Sequence, residues 1–298
     1  MVSPSARRRA VQHVVQEGLG RVREGCRAMR LWTSTFYKVR VLSLAKRRLG
    51  EAILKMSHRY PRFGYRRITV MLRREGLAAG KDQVQRFMRR EGLQVRKKQH
   101  KMKRLGISTA ERRRAEHPGH LWCWDIIQDR TERGSAFKML TLMDEYTRQC
   151  PCIWPSWSIR ALDVIEQLAR AMARYGEPEH LRSDNGPEFI AYAVQDWLKD
   201  KNIKTIYINP GSPWENPYIE SFHDKLRDEL LNRELFVNLA EARVVTEQWR
   251  MEYNQNRPHS SLRNLTPDEF AAALPPMGGT ESININKNQA GLTLQGVH

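Results

Sequence analysis

Three acidic side chains stand out from the 33 in this sequence because of the residues around them. Asp125 lies within the apolar run LWCWDIIQD, Asp184 ends the run EHLRSD, and Glu220 lies in the segment PYIESF. Oxygen ligands without His or Cys favour Mg²⁺ or Mn²⁺ over zinc. We predict that the three carboxylates form one site for two such ions, which suits phosphoryl transfer.

The electrostatics of such a site require bound cations. Two carboxylates about 4 Å apart repel each other by about 4 kcal/mol at an effective dielectric constant near 20. In a site with two metal ions, one ion activates an attacking water or 3′-hydroxyl group and the other stabilises the leaving oxygen. The predicted chemistry is therefore attack on a phosphodiester.

Each acid also has an ordinary explanation. Asp184-Asn185-Gly186 is a good turn sequence in any protein, and Glu220 could be a solvated residue beside the apolar stripe of a helix. Asp125 is harder to explain in this way, because an acid among tryptophans and isoleucines needs a buried partner. Asp129 and Asp144 are competing acids, but each falls where a strand gives way to a turn. We rank both below Asp125.

The elements that position the acids begin at Leu121. We predict the strands LWCWDIIQD, SAFKMLTLMDE and QCPCIWP, a helix over residues 159–175, the strand EHLRSD, the helix FIAYAVQDWLKD and the strand IKTIYIN. Further helices are predicted over residues 217–231 and 239–253, and a last one after the capping box Thr266-Pro267-Asp268-Glu269. The predicted core residues of the helix over 159–175 are Leu162, Ile165, Leu168, Ala169 and Met172. This order describes an α/β fold, a mixed sheet flanked by helices. Ligands gather at strand ends in such sheets, so Asp125 and Asp184 can be neighbours.

Charge divides the chain into two unequal parts. The net charge is +18, and residues 1–118 hold 32 Lys and Arg against 8 Asp and Glu, whereas residues 119–298 hold 19 against 25. A polyanion is the expected partner of the first part. The alternative, in which basic side chains merely solvate helix surfaces, fits poorly with the sharp end of the excess at His117-Pro118-Gly119.

Two helical units are predicted in the basic part. Residues 10–40 suggest short helices, with Gly18 ending the first and Thr33 or Ser34 capping the last, and they form either a helix-turn-helix or a simple helical cap. The sequence after Tyr60 predicts two helices joined by a glycine-containing turn, the second polar and basic like a helix that enters the major groove of DNA. The predicted DNA contacts of this unit are Arg66 and Arg67 on its first helix, Lys81, Gln85, Arg86, Arg89 and Arg90 on its second, and Lys97 and Lys98 beyond it.

Changes in composition divide the chain into segments. We predict a helix-turn-helix-like segment at 1–48, a second such DNA-binding unit at 49–95, a basic linker at 96–118, the catalytic core at 119–274 and a mobile tail at 275–298. The N-terminus lacks the apolar region of an export signal, and no apolar run approaches the roughly 18 residues of a membrane span. Four cysteines do not make a disulfide framework in a chain of this length. We expect a cytoplasmic bacterial protein associated with the nucleoid and not with a membrane.

Several motifs resemble those of one family. SDNGPEF, PGSPWENPYIESFHDKLRDEL, YNQNRPHSSL and TPDEF together resemble the second-frame (OrfB) product of the IS-three family of bacterial insertion-sequence transposases. The likeness covers roughly residues 10–272, including the helical unit GYRRI…LRREG. Such proteins share a ribonuclease H-like catalytic core with retroviral integrases. The resemblance implies that Asp125, Asp184 and Glu220 are a DDE triad that holds two divalent metal ions.

The resemblance also implies DNA contacts near the triad. The family's basic residue seven positions after the glutamate falls on Arg227, on the helical face of Glu220, where it would contact substrate phosphate or the terminal bases. From the residues alone, Arg227 could equally pair with Asp224. Lys225 and Trp214 are further predicted DNA contacts, and Trp214 either stacks on a splayed base or packs over the sheet edge.

The implied function is transposition. The protein would hydrolyse a phosphodiester at an element end to free a 3′-hydroxyl group and direct that group at another phosphodiester, first on the same strand near the opposite end, which gives a circular intermediate. The implied partners are double-stranded DNA of the terminal inverted repeats and of the target, further copies of the chain, and a first-frame (OrfA) partner or frameshift fusion. Arg263-Asn264 departs from the Gly and aromatic residue that relatives often carry, in a structural segment outside the triad.

Two alternative functions stay open from the sequence. The first is a nuclease that uses the same metal ions with water only. The second is a DNA-binding regulator of the element whose core is catalytically idle, although intact acids at all three positions argue against it.

Overall fold

The structure of the chain is a computed structural model that describes residues 3–38, 43–95, 114–183, 186–208 and 216–274. Its N-terminal part contains the helices α1 Pro4–Gln16, α2 Val22–Ala28, α3 Thr33–Tyr37, α4 Leu44–Arg59, α5 Tyr65–Arg74 and α6 Lys81–Arg90. The last three share a core in which Leu49, Ile53, Ile68, Leu72 and Val84 are buried. The predicted pair of helices is therefore confirmed as α5 and α6.

Five strands form one sheet in the second part of the chain. They are β1 Leu121–Arg130, β2 Ala136–Asp144, β3 Cys152–Ser156, β4 His180–Ser183 and β5 Lys204–Tyr207. The strand order is β3-β2-β1-β4-β5. The β1–β2 and β2–β3 pairs are antiparallel, whereas β1–β4 and β4–β5 are parallel. The predicted mixed sheet is confirmed, and its central strand carries Asp125.

Helices cover both faces of the sheet. They are α7 Ala161–Tyr175, α8 Pro187–Ile190, α9 Tyr192–Asp200, α10 Pro217–Leu226, α11 Leu239–Gln255 and α12 Pro267–Ala272. A π-helical segment, Arg227–Leu231, continues α10, and a 3₁₀ turn, Ser260–Leu262, precedes α12. The predicted capping box is present: Thr266 Oγ1 accepts the amide of Glu269 at 3.1 Å, and Glu269 Oε2 accepts the amide of Thr266 at 2.8 Å.

Alternation along β1 decides which helices Asp125 faces. Trp122 and Trp124 pack into the core formed with α7, α8 and α9. Cys123 and Ile127 pack into the opposite core, formed with α10 and α11. Because successive strand residues point to opposite faces, Asp125 lies on the side of the sheet covered by α10, the helix that carries Glu220.

The predicted core face of α7 was partly wrong. Leu162 is 74% exposed and Ala169 is also exposed. The buried stripe instead follows Val164, Leu168 and Met172. Each helical residue turns by about 100°, so Leu162, two residues before Val164, lies on the opposite side of the helix.

Two other local predictions need correction, and one helix is missed. No helix is predicted over α4, although its buried residues Leu49, Ile53 and Met56 recur at helical spacing. Neither Thr33 nor Ser34 caps α3: the cap position is Trp32, which makes no side-chain cap hydrogen bond, and Thr33 is already helical. The predicted helix FIAYAVQDWLKD is broken at Ala191, which is extended and separates α8 from α9.

Ion pairs join the helical N-terminal part to the core. Glu229, in the π-helical segment, accepts hydrogen bonds from Arg257 at 2.6 and 2.8 Å and from Arg67 of α5 at 3.2 Å. The side chains of Arg257 and Glu229 are only 2% and 9% exposed. Further ion pairs between the two parts are Arg62–Asp228 and Arg74–Glu269. These contacts fix α5 against the end of α10.

The burial of His259 makes stability depend on pH. Burial and the positive charge of Arg257, which donates to His259 Nε2 at 3.2 Å, lower the pKa of this histidine from 6.5 to about 2. Below pH 6.5 the unfolded chain therefore binds a proton that the folded chain does not bind. For this one group, the free energy of unfolding should fall by about 1.4 kcal/mol for each pH unit of acidification.

Urea unfolding of His259→Gln, measured between about pH 6.5 and pH 5, checks this prediction. The free energy of unfolding should fall less steeply with acidification in the variant than in the unchanged protein. The difference should be about 1.4 kcal/mol for each pH unit. His13→Gln removes an exposed histidine and should keep the original slope. Equal slopes for the His259 variant and the unchanged protein would contradict the prediction.

Candidate active site

Asp125 lies within the central strand and its side chain is 31% exposed. Its Oδ1 accepts the backbone amide of Ile126 at 2.7 Å, and the residue pairs with Thr141 of β2. On the α10 side, Nδ1 of His223 lies 3.5 Å from Asp125 Oδ2. The acid that the sequence places in an apolar strand is therefore half-buried and lies against a helix.

Thr141 fixes the orientation of His223. The Thr141 hydroxyl donates to the backbone carbonyl of Asp125 at 3.0 Å, so its oxygen accepts the proton on His223 Nε2 at 2.7 Å. Burial and the positive charge of Arg227 lower the pKa of His223 to about 4, so the ring is neutral at pH 7. Nδ1 then presents a lone pair towards Asp125, an arrangement that a nearby cation stabilises.

Glu220 occupies the first turn of α10 and is exposed. Ile219, Phe222 and Leu226 anchor this helix in the core, each 0% exposed. Residues three apart on a helix are neighbours, so Glu220 lies one turn from the histidine that contacts the central strand. The positive end of the helix dipole also favours a carboxylate at this position.

Asp184 lies outside the described residues, but the structure describes both of its flanks. Ser183 ends β4, is buried, and its carbonyl accepts the amide of Ile208 at 3.0 Å. On the other side, Phe189 of α8 stacks on Trp124 with ring centroids 4.4 Å apart. Both flanks therefore lie against the central strands.

The competing acids Asp144 and Asp129 both accept backbone amides. Asp144 is buried and accepts the amides of Gly119, Tyr146 and Thr147 at 2.7 to 2.9 Å. Burial raises the pKa of Asp144, and these hydrogen bonds oppose that change. Asp129 accepts the amide of the residue that follows it at 2.8 Å.

The residues predicted to contact DNA differ in exposure. Lys81, Arg66, Arg86, Arg89, Arg90 and Arg227 are exposed, Gln85 and Lys225 are half-buried, and Lys97, Lys98 and Trp214 lie outside the described residues. Arg67 forms the ion pair with Glu229, so it has a partner within the chain. The structure itself does not test DNA contact by any of them, and each contact stays a prediction.

Lys225 lies in a region of concentrated positive charge. Its Nζ donates to the carbonyl and the hydroxyl of Ser221 at 2.8 and 2.7 Å. Burial, together with the charges of Arg257, Arg67 and Arg148, lowers the pKa of Lys225 to about 8. The amine still carries its proton at neutral pH, so Lys225 adds a positive charge near the end of the helix of Glu220.

Sequence reasoning missed His223 and Thr141. A signal for the first was available, since His223 follows Glu220 by three residues and so shares its helix face. No local signal marks Thr141, because its position beside Asp125 depends on the pairing of β2 with β1.

Comparison with known proteins identifies the family. Residues 115–213 and 201–267 match two models described as integrase core domain, and residues 45–101 match one described as HTH-like domain. The uncharacterized 31.7 kDa protein of insertion element IS407 from Burkholderia multivorans is 38% identical over 75% of this chain and 80% of its own length. The putative transposase InsK of insertion sequence element IS150 from Escherichia coli is 27% identical over 82% of this chain and 91% of its own. This chain belongs to the insertion-sequence transposases.

A solved structure supports the fold of this transposase. A chain of the simian T-cell lymphotropic virus intasome, determined by cryo-electron microscopy in complex with PP2A regulatory subunit B56 gamma, is 16% identical. The match covers 82% of the transposase and 80% of that chain, with a TM-score of 0.50. At this identity the likeness shows the fold alone, and it confirms the predicted ribonuclease H-like architecture.

The family fixes the general activity. The transposase acts in DNA transposition and integration, and its integrase core makes it a polynucleotidyl transferase of a typically metal-dependent class. Its integrase core and HTH-like domain imply that it binds DNA. Within the part of the chain that the structure describes, no helix combines the length and apolar character needed to cross a membrane.

Proposed function

We propose that Asp125, Asp184 and Glu220 are the DDE triad of this transposase, that they bind two Mg²⁺ or Mn²⁺ ions, and that they cleave and join DNA strands at the ends of an insertion sequence. One observation carries the proposal: His223 contacts Asp125 and so brings the helix of Glu220 against the central strand. Asp125 is partly exposed and Glu220 exposed, so ions and substrate can reach both carboxylates.

The strand register supports the inclusion of Asp184. In the parallel pairing of β1 with β4, Cys123 lies opposite Arg182. Asp125 follows Cys123 by two residues in the sequence, and Asp184 follows Arg182 by two residues. Asp184 also directly follows the end of β4, the position where ligands bind in open α/β sheets.

The donor groups fit hard divalent cations. Carboxylate oxygens are the protein ligands that Mg²⁺ and Mn²⁺ prefer. When bound, the ions supply activation of the attacking oxygen and stabilisation of the leaving oxygen. The protein's part is to hold the three carboxylates: Thr141 binds the backbone carbonyl of Asp125, and His223 lies beside its carboxylate.

Basic residues position the DNA in this proposal. Lys225 and Arg227 follow Glu220 along α10 and its π-helical continuation, where they would hold backbone phosphates, and Trp214 would stack on a splayed base. The helix α6 would enter the major groove with Lys81, Gln85, Arg86, Arg89 and Arg90. Arg66, Arg67, Lys97 and Lys98 would add phosphate contacts. We propose the predicted domain boundaries, except that the second unit begins with α4, which spans residue 48 and shares its core with α5 and α6.

The proposed partners are DNA and further protein chains. The triad acts on the terminal inverted repeats and on target DNA, with several copies of the chain assembled on the two ends. A first-frame partner, separate or fused by frameshifting, would assist recognition of the ends.

The role of α6 can be tested by salt-dependent binding. Arg89→Gln removes one exposed charge from α6. A lost phosphate contact should weaken binding of labelled terminal-repeat duplex and lower the slope of log affinity against log salt by about 1. Arg170→Gln removes an exposed charge from α7 of the core and should leave the slope unchanged. Fluorescence anisotropy titrations at several salt concentrations measure both, and equal slopes for the two variants would remove α6 from the DNA interface.

A strand-transfer assay tests the proposed function itself. Purified protein, with and without the first-frame segment, is incubated with labelled element ends, a target plasmid and Mg²⁺. The proposal expects joined products that disappear when a chelator removes the metal. Cut ends without joined products would favour the water-only nuclease, and binding without cutting would favour the idle regulator.

A further inference from the structure

A second cluster of metal-ligating side chains lies at the other end of the central strands. His120, Glu179 and His180 each offer one ligand atom, and these atoms lie within 4.8 Å of one another. His120 immediately precedes β1, and His180 begins β4 opposite Leu121. Asp125 follows His120 by five residues along β1, which corresponds to a distance of about 16 Å. The cluster is therefore separate from the proposed active site.

A fourth ligand is available beside this cluster. The ring of His117 stacks on that of His120 with centroids 4.7 Å apart. His117 Nε2 lies 3.3 Å from Oε1 of Glu179. Its Nδ1 lies 3.0 Å from the carbonyl of Pro118, which can only accept, so Nδ1 carries the proton. In the neutral ring, Nε2 then faces the carboxylate with a lone pair, and a shared cation makes that contact favourable.

The orientation of His180 follows the pattern of metal-binding histidines. Its Nδ1 lies 3.2 Å from the backbone carbonyl of His120, an acceptor, so Nδ1 carries the proton and Nε2 carries the lone pair that would bind a metal ion. Metal-ligating histidines commonly donate their other ring N–H to a carbonyl in this way. Two of the three imidazoles, those of His117 and His180, therefore share this arrangement.

We propose that His117, His120, Glu179 and His180 bind one zinc-like transition-metal ion. Three imidazoles and one carboxylate match the ligands and the fourfold coordination that Zn²⁺ prefers. The ligand atoms must move closer together to bind one ion, because those of His120, Glu179 and His180 lie within 4.8 Å of one another and zinc bonds are only about 2.0 to 2.2 Å long. Nδ1 of His120 accepts the amide of Glu116 at 3.0 Å, so this ring exchanges that hydrogen bond for the metal or rotates to present Nε2.

The site would act as a structural clamp. His117 and His120 belong to the segment that enters β1, whereas Glu179 immediately precedes β4 and His180 begins it. One ion bound by all four joins the starts of the two strands whose other halves lead to Asp125 and Asp184. Its chemistry differs from that of the triad, since imidazole nitrogen selects zinc-like ions and the carboxylates select Mg²⁺ or Mn²⁺.

Metal binding by the full chain, purified without a histidine tag, tests the proposal. Calorimetric titration with Zn²⁺ and the visible spectrum with Co²⁺ are measured on the variant Asp125→Asn/Glu220→Gln, which disables the proposed active site. We expect one equivalent of tightly bound metal, a tetrahedral Co²⁺ spectrum and a higher unfolding temperature with Zn²⁺. Loss of this binding in the double variant would assign the ion to the acids and overturn the proposal.

Substitutions of the ligands complete the test. His120→Asn and Glu179→Gln, each added to the double variant, should weaken zinc binding by about 100-fold or more, because even outer-shell changes cost 10- to 100-fold. Glu179 is exposed, so its substitution leaves the packing intact. His58→Asn removes an exposed histidine of α4 and should bind zinc unchanged. Unchanged zinc affinity in the His120 and Glu179 variants would refute the zinc site. This result would not depend on whether the proposed active site is correct.

Discussion

Glu220→Gln is expected to lower the rate of strand cleavage and joining by about 1,000-fold or more, equivalent to about 4 kcal/mol of transition-state stabilisation. The substitution keeps the size of the side chain and removes the charge that would hold a metal ion. A metal ion that stabilises the developing charge contributes several kcal/mol. Glu220 is exposed, and the buried residues around it still anchor α10, so folding should not change.

The matched control for this prediction is Asp224→Asn, an exposed acid one turn further along the same helix. It should retain activity within a few-fold, while Asp125→Asn and Asp184→Asn should lose as much as Glu220→Gln. Asp129→Asn, at the end of the same strand as Asp125, serves as the second control. Rates are measured with labelled element ends at saturating Mg²⁺. A Glu220→Gln protein that joins strands at the original rate would remove Glu220 from the triad.

Glu229→Gln is expected to reduce the free energy of unfolding by about 3 to 5 kcal/mol, the cost of removing one partner from a buried ion pair. Glu229 accepts hydrogen bonds from both Arg257 and Arg67, and Arg257 is almost fully buried. Without the carboxylate, the Arg257 guanidinium keeps its desolvation cost and loses the charge that offsets it. The contact between α5 and the core weakens at the same time.

Urea denaturation of the full chain measures this effect, with Glu234→Gln as the control. Glu234 is exposed, a few residues beyond the π-helical segment, and its substitution should change the free energy of unfolding by less than about 0.5 kcal/mol. The double variant Glu229→Gln/Arg257→Met should recover much of the loss, because it removes the unpaired charge as well. A loss below about 1 kcal/mol in Glu229→Gln would mean that water or another acid compensates Arg257.

Much of the fold could be predicted because its signals are local. The run LWCWDIIQD predicts β1, the basic run from Lys81 to Arg90 gives the bounds of α6, and Thr266 and Glu269 form the expected capping box. Each of these depends on residues that are close in the chain. The failures lay elsewhere: the helical spacing of Leu49, Ile53 and Met56 in α4 was missed, and Leu162 is an apolar residue on an exposed face.

The candidate site could be predicted only in part. Its acids were selected because Asp125 is an unusual residue in an apolar strand and because the surrounding motifs resemble a known family. The contact that joins Asp125 to the helix of Glu220 passes through His223 and Thr141, which come from α10 and β2. No residue close to Asp125 in the sequence predicts its contacts with His223 or Thr141.

By itself, the sequence determined the types of secondary-structure element, the basic N-terminal part, the family and the identity of the candidate acids. These signals are helix periodicity, strand alternation, charge and motifs, and each depends on residues that are close together in the sequence. Only the tertiary structure decided that His223 faces Asp125, that Glu229 is shared by Arg257 and Arg67, and that three histidines meet Glu179 at the start of the parallel strands. The reason is physical: these contacts join residues far apart in the chain, and strand register and helix packing alone set which of them meet.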